Sequence, residues 1–132
     1  MQKEDSGIGI LRIGVAILLG IHGVTRIVIG GVVPFGEFLN LKGFPMGRGL
    51  AWAITGFEIV AALLLLMGRF IIPTSLLFII ELTMGIVLVH ASEGWFVVGA
   101  GRNGVEYSVL LIVSLFALIV STRNRARRKE GE

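Results

Sequence analysis

A chain of 132 residues, 55% of them hydrophobic and with a formal net charge of +3, falls outside the range of water-soluble domains, whose apolar runs are broken every few residues. Its mean hydropathy of +0.89 leaves little polar chain for a soluble catalytic domain. The absence of cysteine excludes structural disulfides, thiolate metal sites and a dithiol relay carried by this chain alone, so electron chemistry would need a bound cofactor or another subunit.

Apolar runs lie at residues 7–29, 50–67, 70–89 and 105–120, each approaching the ~20 residues that cross ~30 Å of hydrocarbon. They predict an all-α membrane protein: an antiparallel bundle of four transmembrane helices over residues 1–122, a short amphipathic segment in the first external loop, and a basic cytoplasmic tail at 123–132. The first run is read as a retained helix, because Glu4 and Asp5 spoil the basic start of a signal peptide and no small-x-small cleavage site follows. Both termini and the turn at Arg69 then share one side of the membrane. Lys3, Arg69, Arg123, Arg125, Arg127, Arg128 and Lys129 on that side outweigh Lys42, Arg48 and Arg102 in the opposite loops. The positive-inside bias therefore puts the termini in the cytoplasm, in the cell membrane of a prokaryote by expectation.

The first span carries Gly14, Gly20 and Gly23, which let a neighbouring backbone approach closely in lipid. It also carries His22 and Arg26, four residues apart and so on one helical face, about 21 Å and more above Ile8 at ~1.5 Å per residue. Each is expected to find a partner among neighbouring helices, although an arginine near a helix end can also snorkel to the interface. The connection that follows is too apolar for a free loop. Pro34 is placed to start a short helix and Gly43 to end it, with Phe35, Phe38 and Leu41 at the outer mouth or in the headgroup layer.

In the second span Ala51, Thr55, Glu58 and Ala62 fall on one stripe of mostly small residues, expected to pack inward with Glu58 at nearly the depth of His22. A carboxyl at that depth is paired with a cation or protonated, which predicts that Arg26 or His22 pairs with Glu58. The short turn at 67–69 makes the second and third spans antiparallel neighbours. In the third span Glu81 lies near the midplane and His90 at the outer end, on opposite faces if the helix stays regular. The second external loop, 92–103, is glycine-rich with Trp95 and Phe96 at the interface. Glu106 opens the fourth span, where the helix dipole alone would favour a carboxylate.

By depth, His22, Arg26, Glu58, His90, Glu93, Arg102 and Glu106 gather in the outer half, with Arg12 almost alone in the inner half. Such a distribution suggests a polar pocket opening outward and argues against a transport path. The basic tail beside a span fits topology and contact with anionic lipid, not nucleic acid. No Gly-rich phosphate loop, metal-ligand spacing or nucleophile triad supports a nucleotide enzyme, a metal site or a self-contained hydrolase.

The residues His22-Gly23 followed by Arg26, Leu41-Lys42-Gly43-Phe44-Pro45, Gly56-Phe57-Glu58, His90 with Gly94-Trp95, and Glu106-Tyr107 together resemble the DoxX family of small four-helix membrane proteins. The resemblance spans nearly the whole chain. It implies association with a quinone-linked membrane oxidoreductase, relatives being fused to or paired with thiosulfate:quinone oxidoreductase, and it picks out His22, Arg26, Glu58, His90 and Glu106 as the recurring polar positions. In that reading His22 or Arg26 hydrogen-bonds a quinone carbonyl and Glu58 relays protons. The alternative is a non-enzymatic scaffold or accessory subunit whose polar cluster fixes helix register or docks other membrane subunits or a second copy. Haem ligation by the two histidines ranks below both, one lying within a helix and the other at a frayed end.

Overall fold

The computed structural model describes residues 5–131; Lys3 and Glu4, used above for orientation and for the signal-peptide reading, lie outside them. The described chain is helical, in the order α1 (Ser6–Val28), α2 (Val32–Leu41), α3 (Gly47–Leu66), α4 (Ile71–Leu88), a 3-10 turn at His90–Glu93, and α5 (Glu106–Glu130), with no strand among the described residues. Helices α1, α3, α4 and α5 have 23, 20, 18 and 25 residues and are apolar enough to cross a membrane. The chain is an integral membrane protein. Helix α2 stands in the first connection, where a short amphipathic segment is expected, and is itself apolar.

Local chemistry sets the helix limits. The Asp5 carboxylate accepts the N–H groups of Gly7 at 2.9 Å and Ile8 at 3.4 Å, an N-cap that starts α1. Helix α2 begins at Val32, two residues before Pro34, which still sits in the first turn where its missing N–H has no intrahelical acceptor. It ends as expected at Gly43, with φ +92°: the Gly43 N–H donates to Asn40 O and the Phe44 N–H to Leu39 O, both at 3.0 Å. The same bond pair closes α3 at Gly68, whose N–H donates to Leu65 O while that of Arg69 reaches Leu64 O.

The chain divides into two compact units, residues 16–69 in one and the segments before and after them in the other. In the first, α2 folds back along α3. Val32, Leu39 and Ala51 form a small core, with Phe35, Phe38, Phe44 and Ile54 packed against it. A Cβ on Gly36 would lie 2.6 Å from Arg48 Cα, and one on Gly47 would lie 2.2 Å from Gly36 O, so the two backbones touch where only glycine fits. At this crossing Asn40 Oδ1 accepts the Gly47 N–H at 2.8 Å and caps the start of α3 from the neighbouring helix.

In the second unit α4 packs along α5, and Phe78, Leu111, Leu115 and Leu118 are buried. Buried hydroxyls turn back on their own helices, Thr74 Oγ1 donating to Phe70 O at 2.6 Å and Ser114 Oγ to Leu110 O at 2.8 Å. Helix α4 stops at Leu88, where Val89 takes φ −128° and ψ −62°, so His90 lies in the 3-10 turn and the regular-helix reckoning that opposed it to Glu81 does not apply. Helix α5 runs without a break across position 122 and through the basic run to Glu130.

Candidate functional site

The inward stripe of α3 is the one its small residues mark: Ala51, Thr55, Glu58, Ala62 and Leu65 are all buried. The C-terminal part of α1 lies against this stripe through its glycines. A Cβ on Gly20 would come 3.0 Å from Ala62 Cβ, and one on Gly23 would come 2.9 Å from Ile59 Cγ1 and 3.1 Å from Thr55 O. In lipid, where hydrophobicity does not distinguish a helix neighbour from an acyl chain, such close backbone approach selects the contact. Arg26 stands one turn beyond Gly23 and is thereby delivered to Glu58.

The contact is a two-bond fork. Arg26 Nη1 donates to Glu58 Oε2, and Arg26 Nη2 donates to Glu58 Oε1 at 3.0 Å. Arg26 Nη1 also donates to Thr55 Oγ1 at 3.0 Å, while that hydroxyl donates to Ala51 O at 2.7 Å and is held in its rotamer. From α2, the Phe35 ring lies under the guanidinium, 4.5 Å from Cζ to the ring centroid. The Arg26 side chain keeps 18% of its surface exposed and that of Glu58 only 7%. Arginine thus satisfies the expected ion pair by turning inward, and the snorkelling alternative does not hold.

His22 does not join this set. The buried positions of α1 are Arg12, Val15, Ala16, Leu19 and Gly23, whereas His22 is exposed and, among the described residues, makes no hydrogen bond. One residue is a turn of about 100°, so His22 falls to the side of the stripe that Gly23 centres. It shares its face with Leu18 and Ile29, 43% and 72% exposed. The expectation that both polar residues of α1 find partners within the chain is corrected for His22.

His90 and Glu106 serve the loop between α4 and α5. His90 Nδ1 lies 2.8 Å from Asn103 O, and Glu106 Oε1 accepts the Val97 N–H at 2.7 Å. Three backbone bonds close the same loop, from Val105 to Gly94, Glu106 to Trp95 and Gly104 to Phe96. Glu106 therefore ties a loop to a helix start, beyond the dipole role expected from its position. Trp95 and Phe96 remain about half exposed. Sequence reasoning missed the roles of Phe35, Thr55 and Asn103. Thr55 was legible as a member of the buried stripe, but nothing local signals stacking by Phe35. No group of three or more His, Asp or Glu side chains that could hold a metal ion occurs among the described residues.

A family profile described as DoxX matches residues 7–91, which is more than half of the chain and takes in α1 from its second residue, and α2 to α4, with His22, Arg26, Glu58 and His90. The chain belongs to the DoxX family. The matched segment of this DoxX protein contains the whole fork and its supports Phe35 and Thr55, and stops before Glu106. No curated protein and no solved structure matches the chain.

Proposed function

We propose that this DoxX protein is a subunit associated with a quinone-linked membrane oxidoreductase, in the cell membrane of a prokaryote with both termini cytoplasmic. The observation that carries the reading is His22, an imidazole exposed on an apolar face of a spanning helix and bonded to nothing described in its own chain. A polar side chain at that depth is costly unless something outside the chain pairs with it. A neutral imidazole has one N–H to donate, and a membrane-soluble dione has carbonyl oxygens that accept it. Flanking Leu18 and Ile29 supply an apolar surface for the ring of such a ligand. The role of Arg26 in this reading is to hold α1 against α3, because both of its terminal nitrogens and both Glu58 oxygens are engaged with each other. This reading assigns Glu58 no proton relay, and the same engagement favours, as a second reading, a scaffold whose ion pair fixes helix register.

The experiment is purification in mild detergent, with extraction of bound lipid for quinone analysis and identification of co-purifying subunits, for the wild type and for His22→Ala. Association predicts a redox partner or bound quinone in the wild type. In the variant, yield and melting temperature stay unchanged while quinone content or quinone-dependent turnover per assembled complex falls. Normal turnover per complex in His22→Ala defeats the reading and leaves the scaffold in its place.

A further inference from the structure

We infer that the cytoplasmic end of α5 is a binding collar for anionic lipid headgroups, a rigid extension of the span and not a loose charged tail. The helix does not end where its apolar run ends: it continues through Arg123, Arg127, Arg128 and Lys129, all exposed, to Glu130. At ~1.5 Å per residue these four side chains leave the backbone about 4 to 14 Å beyond Val120. With Val120, the end of the apolar run, taken as the edge of the hydrocarbon, a headgroup layer of roughly 5 to 8 Å takes in Arg123, and the arginine and lysine side chains further out can reach back to it.

Their angular placement decides the kind of partner. At about 100° per residue, and taking Arg123 as the origin, Arg127, Arg128 and Lys129 point near 40°, 140° and 240°. The charges therefore surround the helix. A nucleic acid or an acidic protein groove would call for a stripe along one face, whereas headgroups surround a spanning helix on every side that no neighbour covers. Guanidinium groups suit the ligand further, since each can take two phosphate oxygens at once. The shared chemistry is a lipid phosphate carrying net negative charge, read by charge and not by headgroup shape, and the inference is independent of any role for His22.

The test uses the full chain reconstituted in phosphatidylcholine vesicles, with spin-labelled phosphatidylglycerol or phosphatidylcholine reporting the lipid held at the protein surface. The wild type should hold the anionic lipid several-fold more strongly, and the preference should shrink as salt is raised from about 0.1 M to about 1 M, where screening shortens to ~3 Å. The variant R123Q/R127Q/R128Q/K129Q should lose most of the preference at unchanged helix content, and R123K/R127K/R128K should keep it. Equal loss in both variants, an undiminished preference in the glutamine variant, or no preference in the wild type overturns the inference. A change of oligomeric state on substitution without a change in lipid preference would overturn it too, and would reassign the collar to contacts between copies.

Discussion

Arg26 and Glu58 stand 32 positions apart in the chain and meet as a fork in which each terminal guanidinium nitrogen takes one carboxylate oxygen. Fork geometry fixes distance and also the rotation of α1 about its own axis, because a turn of one residue would carry the guanidinium out of reach. Breaking it should therefore cost more than a surface pair would. Glu58→Gln keeps shape and one acceptor but strands part of a largely buried guanidinium, and we expect about 1–3 kcal/mol of lost stability in detergent unfolding. The double variant Arg26→Met with Glu58→Leu should recover most of that, since well-packed apolar pairs replace buried ion pairs at little net cost. A double variant as unstable as the sum of its parts would contradict this account.

Phe35 contributes through the guanidinium it underlies. Phe35→Leu is expected to cost about 0.5–1 kcal/mol beyond its packing loss when Arg26 is present. A double-mutant cycle with Arg26→Met measures that coupling, and a coupling of zero would show the stacking to be incidental.

Two glycines of α1 should respond oppositely to alanine. At Gly23 the added Cβ meets Ile59 and Glu58 side chains and the Thr55 carbonyl at 2.9 to 3.1 Å, so α1 must move away from α3. We expect a loss of about 1–3 kcal/mol. At Gly14 nothing lies within 4 Å. There alanine should be neutral or stabilising by up to about 1 kcal/mol through helix propensity. Comparing the two melting temperatures checks the pair, and equal responses would mean that the close approach at Gly23 is not what holds the helices.

Glu106→Ala removes the acceptor of the Val97 N–H and should loosen the loop between α4 and α5 while α5 stays helical. Hydrogen exchange at Val97 should speed up at least tenfold, the equivalent of about 1.4 kcal/mol of local stability. Unchanged exchange there would show that the backbone bonds of the loop suffice without the carboxylate.

Orientation is open to labelling in a chain without native cysteine. Asn124→Cys should react with a membrane-impermeant maleimide only after cells are permeabilised, whereas Val98→Cys, at an exposed loop position, should react in intact cells. Labelling of Asn124→Cys from outside would reverse the topology.

The four spans, the short helix between the first two and its stop at Gly43 were all legible in the chain itself, because run length, proline and glycine act within a few residues of where they stand. So was the buried face of α3, written in small residues and one carboxyl. Which polar residue of α1 would meet that carboxyl was not legible. His22 and Arg26 differ by only about 40° around the helix. Both faces of a membrane helix are apolar, so no hydropathy contrast says which way the helix is turned. The tertiary structure decided it through the close approach of Gly20 and Gly23 to α3, which rotates Arg26 inward onto Glu58 and leaves His22 outside. Contacts between positions 32 apart depend on how two helices seat against each other, and that seating is a property of the packed pair.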